Sequence, residues 1–137
     1  MDASIKQVHF RSLNKLPLYD PTMKRVIIES PYAGDVGLNL RYLRACMKDC
    51  LSRDEAPFAS HGLYTQEGVL NDDDATERRK GCEAGFTWRE QADLTVVYID
   101  LGISRGMSLG IEDAKVKGLP VEYRCLHAWA TIAEGGS

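Results

Sequence analysis

The chain has 137 residues with 17 Lys and Arg against 20 Asp and Glu, for a formal net charge of −3. Such a length is one domain by the usual scaling, burying roughly 65–70% of its unfolded surface with no need of a metal or disulfide staple. The mild negative charge, the absence of an arginine-rich tract, of any apolar run near the ~18 residues of a membrane span, and of an apolar centre in the start MDASIKQVHF argue against nucleic acid, membrane insertion and secretion.

The expected setting is therefore the cytoplasm, and the expected partner is a small molecule. Residues 1–22 carry Pro17 and Pro21 and little apolar periodicity, so they read as an arm before the core. The domain proper spans residues 23–126. Its first strand, around Val26, Ile27 and Ile28, is apolar without alternation, as in a parallel strand covered on both faces. The run stops at Glu29-Ser30-Pro31-Tyr32-Ala33-Gly34. Ligands of open α/β sheets sit beyond the carboxyl ends of the strands, which makes Glu29, Ser30, Pro31, Tyr32 and Gly34 candidate ligand contacts.

A helix is expected over residues 39–52, with Leu43, Cys46, Met47 and Cys50 as its core face. Ala56 to Ser60 reads as a second buried strand that delivers His61 to the same edge. The loop from Gly62 to Asp73 is long for a compact domain, which marks it as functional or mobile. Asp74 and Glu77 have capping-box spacing before a helix over residues 75–90, in which Gly81 and Gly85 imply a close backbone approach. Leu94 to Ile99 is the clearest strand, with Asp100 at its carboxyl end. Ser104 then caps a helix over residues 105–117, closed by Gly118 and Pro120. Val121 to Leu126 is the fourth strand, and residues 127–137 form a tail that adds a fifth strand or an arm.

Strand and helix alternate throughout. The expected fold is α/β, a three-layer sandwich with a Rossmann-like parallel sheet of four to five strands in the order second, first, third, fourth, and helices on both faces. The four cysteines lack zinc spacing and read as buried thiols; no metal or other cofactor is expected.

Two strand-to-helix turns would then face each other across one crevice. Free N–H groups at Arg105, Gly106 and Met107, with the Arg105 guanidinium and the Ser104 hydroxyl, make an anion site. Tyr32 offers an aromatic face for a base, while Glu29 and Asp100 offer acceptors for ribose hydroxyls. The combination of Ser30-Pro31-Tyr32, Asp100, Ser104-Arg105-Gly106, Glu112 and Gly118-Leu119-Pro120-Val121 resembles the nucleoside 2-deoxyribosyltransferase-like superfamily, over residues 24–126. Within that superfamily the chain resembles in particular small uncharacterised phage and bacterial members. The resemblance implies a nucleoside or nucleotide ligand, a homo-oligomer of two or more subunits, and cleavage or transfer of an N-glycosidic bond with Glu112 as nucleophile and Asp100 assisting.

One departure separates two functional readings. The family's catalytic glutamate falls four residues after the turn glycine, where this chain has Gly110; Glu112 stands about 200° further round an ideal helix. The chain is thus either an N-glycosidic enzyme, a deoxyribosyltransferase or nucleotide N-glycosidase, or a non-catalytic protein that sequesters or senses a nucleotide-derived signal, such as a phage anti-defence sponge.

Overall fold

The computed structural model describes residues 18–134, so most of the arm expected over residues 1–22 lies outside the described residues. In chain order the elements are β1 Lys24–Glu29, α1 Val36–Ser52, β2 Glu55–Phe58, α2 Ser60–Leu63, α3 Ala75–Arg89, β3 Leu94–Tyr98, α4 Arg105–Val116, β4 Val121–Arg124 and α5 Trp129–Glu134. All strand pairings are parallel and the order is β2-β1-β3-β4. The fold is a Rossmann-like three-layer α/β sandwich with four strands among the described residues.

The apolar runs are uninterrupted because both sheet faces are covered. Val26, Ile28, Val96 and Tyr98 pack under α1 against Tyr42, Leu43, Cys46 and Cys50. On the opposite face Val97 meets Met107 and Ile111 of α4. By the period-2 alternation of a strand, Ile27 and Glu29 share that second face. Cys46 and Cys50 are buried as expected, but Cys82 and Cys125 are exposed, because neither faces a core layer.

Most element ends shift by one or two residues from the sequence expectation, and three larger differences each have a local reason. Helix α1 starts at Val36 rather than Asn39, since Asp35 caps it by accepting from Leu38 N at 3.1 Å. The loop after β2 opens with the single helical turn α2. The tail forms α5 instead of a strand or free arm, and Trp129 meets Tyr42 edge-to-face at 4.8 Å between ring centres. Trp129 is thereby tied to this chain's own core.

Helix α3 has its expected cap, as Asp74 accepts from Thr76 N at 2.9 Å and Glu77 N at 3.0 Å. Glu77 does not complete the box; its carboxylate accepts from Asn71 N at 3.0 Å and ties down the preceding loop. The close approach implied by the α3 glycines is real. A Cβ on Gly85 would lie 2.5 Å from Ser60 Oγ and 2.7 Å from Ser60 Cβ. Gly85→Ala should therefore destabilise the fold by about 1–3 kcal/mol through overpacking. Gly37→Ala in α1, whose nearest neighbour would be Asp35 Oδ1 at 3.8 Å, should be neutral or gain up to about 1 kcal/mol. Urea denaturation of the two variants checks both signs.

Candidate functional site

The chain leaves β1 towards β2 and leaves β3 towards β4, so the gap beyond the carboxyl ends of β1 and β3 is the topological switch point. The turn after β1 is held from behind. Asn39 Nδ2 donates to Tyr32 O at 2.8 Å and to Ala33 O at 3.1 Å, and Gly34 takes φ 100°, which a side chain would disfavour. A cleft of about 770 Å³ opens beside it. Tyr32, Ala33, Gly34 and Val36 form one wall, and the loop carrying Thr65, Glu67, Gly68, Val69, Leu70, Asn71, Asp72 and Asp73 forms another, with Glu77 behind. Four carboxylates, Glu67, Asp72, Asp73 and Glu77, line it, and no Lys or Arg does. The length of the loop was the signal for this wall; Asp74, which follows its acids, is the cap of α3.

Below the turn lies a buried charge cluster centred on Arg89, which is 1% exposed. Its guanidinium donates to Glu29 Oε2 at 2.6 Å and to Thr95 Oγ1, and its Nε lies 2.9 Å from Asp113 Oδ2. Lys117 Nζ pairs with the same Asp113 oxygen at 3.0 Å and donates to Phe86 O at 2.6 Å. Glu29 is buried by this cluster and by α4. Burial pushes its carboxyl up to about 7, outweighing the downward pull of Arg89, whose charge is shared with Asp113. A Cβ on Gly110 would overlap Glu29 Oε2 and Cδ outright and lie 2.7 Å from Oε1. The carboxylate thus occupies the space a side chain at 110 would need.

Next to it, Ser30 Oγ and His61 Nε2 are 2.7 Å apart, joining the ends of β1 and the start of α2. Burial lowers the His61 pKa to about 4, so the ring is neutral near pH 7. Pro31 is buried and Tyr32 half-buried.

The β3 side is committed differently. Asp100 accepts from Tyr42 OH at 2.6 Å and from Leu126 N at 2.9 Å, so it fastens α1 to the end of β4. Ser104 accepts from Met107 N at 3.3 Å as the N-cap of α4. Of the three donors expected at this turn, Arg105 and Gly106 N–H remain without a protein acceptor among the described residues. Arg105 and Gly106 are exposed, and neither they nor Ser104 line the cleft. Glu112 is exposed on a regular helix, one residue past the buried Gly110 and Ile111. Of the residues expected at the ligand, Tyr32 and Gly34 line the cleft; Glu29, Ser30 and Pro31 are buried at the end of β1 and do not, and Asp100, Ser104, Arg105, Gly106 and Glu112 lie outside its walls. Arg89, His61 and Gly110 were not among the ligand residues expected from sequence. Among the described residues no group of three or more His, Cys, Asp or Glu is arranged to hold a metal ion, and no helix is long and apolar enough to cross a membrane.

Fold and cleft define a Rossmann-like α/β domain with a polar cleft at the carboxyl edge of its sheet, beside the end of β1. The model of a family described as a domain of unknown function, DUF7768, matches residues 24–124, from the first residue of β1 to the last of β4, and the chain belongs to that family. No curated protein matches the chain.

Glu29 and His61 make opposing contributions to pH-dependent stability. A carboxyl raised from 4.5 to about 7 favours the folded state most below pH 4.5, and that contribution is lost as pH rises to about 7. A histidine lowered from 6.5 to about 4 favours folding above pH 6.5, and that contribution is lost as pH falls towards 4. Between pH 4.5 and 6.5 the two slopes oppose each other. In Glu29→Gln the histidine slope stands alone, so the urea midpoint should rise more steeply from pH 4.5 to 6.5 than in the parent protein; an unchanged slope would place the titration elsewhere.

Proposed function

We propose that this chain binds a nucleoside or nucleotide-derived small molecule at the carboxyl edge of its sheet, with base and sugar in the cleft beside Tyr32. The observation that carries the reading is the cleft itself, built at the carboxyl edge of the sheet on the β2 side of β1, between a pinned aromatic turn and an acidic loop. Its carboxylates accept hydrogen bonds from hydroxyl and amino groups and repel phosphate, which favours the neutral part of such a ligand there. A phosphate is served instead by the outward N–H groups of Arg105 and Gly106 and by the Arg105 side chain.

Of the two functional readings, sequestering or sensing without cleavage is favoured over N-glycosidic chemistry at Glu112. Gly110 puts no side chain where the resembling family has its glutamate, and Glu112 is exposed. Association into a dimer or larger assembly belongs to the same proposal, supported by exposed Leu109, Val116 and Tyr123 on the β4 side.

The test incubates the protein with nucleosides, nucleoside monophosphates, ADP-ribose forms and cyclic dinucleotides, and follows binding by thermal shift and free base by chromatography. We expect a raised midpoint with the ligand recovered intact, and the same result for Glu112→Gln. Base release abolished by Glu112→Gln would establish the enzyme. The absence of a shift with any of these compounds would reject the binding function. Light scattering should give a particle larger than the 15.3 kDa monomer.

A further inference from the structure

We propose that β4 is a dimerisation edge, at which two copies of this chain pair β4 with β4 antiparallel about a two-fold axis at Tyr123 and join their sheets into one. This rests on the association proposed above and gives it a surface and a register.

The edge is open. Among the described residues β4 has β3 as its one strand neighbour. Thr95 N donates to Pro120 O and Ile99 N to Arg124 O, both at 3.0 Å, and the register sets Thr95 beside Val121 and Val97 beside Tyr123. In that phase Glu122 and Arg124 turn their backbone groups to β3, while Val121 and Tyr123 turn theirs outward. Those outward N–H and C=O groups have no protein partner among the described residues. The opposite edge is blunted, because Pro57 stands within β2 and has no N–H to offer. β4 contains no proline, and beyond it Leu126 and Trp129 turn in under α1, so the described tail leaves the edge open.

Charge selects the register. Outward groups meet outward groups when the axis falls at Val121, Glu122 or Tyr123. An axis at Glu122 sets that carboxylate against its own copy, and like charges directly opposite are destabilising. An axis at Val121 sets Glu122 against Pro120. Only the axis at Tyr123 sets Glu122 against Arg124, opposite in sign, while the two Tyr123 residues exchange both backbone bonds. Val121 packs towards α4, so by alternation the half-exposed Tyr123 rings meet on that face.

The same axis matches the helices. Val97, beside Tyr123, packs against Met107 and Ile111, so the axis crosses α4 at a level midway between Arg105 and Glu112. Antiparallel copies of α4 then carry Arg105 of one chain to the level of Glu112 of the other, and the converse. These two residues stand seven apart on one stripe, both exposed and neither in an ion pair among the described residues. Asp113 and Lys117 are turned to α3, which puts the stripe on the flank away from α3. A guanidinium has five donors, so Arg105 can meet this carboxylate and still face a ligand anion.

The experiment is cross-linking of the full chain with the exposed Cys82 and Cys125 replaced by serine, into which Tyr123→Cys is introduced, or Val116→Cys as an equally accessible control at the far end of α4. Residues that exchange both backbone bonds stand about 5.5 Å apart at Cα, within the span of a disulfide. Under mild oxidation we expect Tyr123→Cys to give a covalent dimer at least roughly tenfold faster than Val116→Cys. By light scattering, Glu112→Arg should raise the dimer Kd roughly tenfold, and Arg105→Glu combined with Glu112→Arg should restore it. If Tyr123→Cys does not fold, the charge exchange decides: restored association supports the interface, and a double variant no better than Glu112→Arg overturns it. A dimer in which Tyr123→Cys links no faster than the control would overturn this interface and leave association standing. A 15.3 kDa particle at every concentration would overturn association and interface together, without touching the reading of the cleft.

Discussion

A single guanidinium holds the second layer of this domain to its sheet. Arg89, at the end of α3, meets Glu29 of β1, Thr95 of β3 and Asp113 of α4, so four elements converge on one fully buried side chain. Taking such a charge out of water costs several kcal/mol, recovered only when its partners are well placed. Deleting one partner strands the others, so the cluster acts as a unit. It also explains why the two faces of the sheet differ. The α1 face is a continuous apolar core, whereas the α4 face has a small apolar group of Val97, Met107 and Ile111 beside the ion cluster. Glu29 is therefore part of the packing that holds β1 to α3 and α4.

The strand order was legible because its signals are local and strong. Unbroken apolar runs ended by turn residues mark parallel strands, and alternation with helices restricts the crossovers to one hand. Gly85 was legible too, since glycine at that cost inside a helix signals a close approach, here Ser60. The site was less legible. An arginine in the last turn of a helix suits the macrodipole and looks like a solvated cation, so nothing in its neighbours announced that Arg89 would be buried. The Ser30–His61 pair spans 31 residues and exists only because β1 and β2 end side by side. Gly110 was visible as a break from the resembling pattern, but only the backbone geometry shows that Glu29 fills the space. The helical tail escaped because its six residues are too short for periodicity and depend on Trp129 reaching Tyr42.

Electrostatics divides the carboxyl edge into two zones. The cleft beside β1 is walled by carboxylates, and the start of α4 beside β3 carries Arg105 and two outward N–H groups. A ligand that lies across the switch point meets acceptors at one end and donors at the other. That polarity suits a molecule with a hydroxylated neutral part and an anionic part, and it opposes a simple inorganic anion in the cleft.

On the α1 face, Arg124 at the end of β4 reaches Glu55 at the start of β2 with two bonds of 2.8 and 2.7 Å, passing Tyr98 of β3 at 3.3 Å. β2 and β4 are the outer strands of the sheet, so the pair spans opposite corners that the right-handed twist brings towards one another. Edge strands ordinarily fray first, each peeling from its single neighbour. Here neither edge leaves without abandoning a buried charge on the other, a loss of about 3–5 kcal/mol. The clasp couples the two margins, so amide hydrogens on β2 and β4 should exchange together, in one opening event that includes the central strands, and the sheet behaves mechanically as a closed ring although its hydrogen-bond ladder is open.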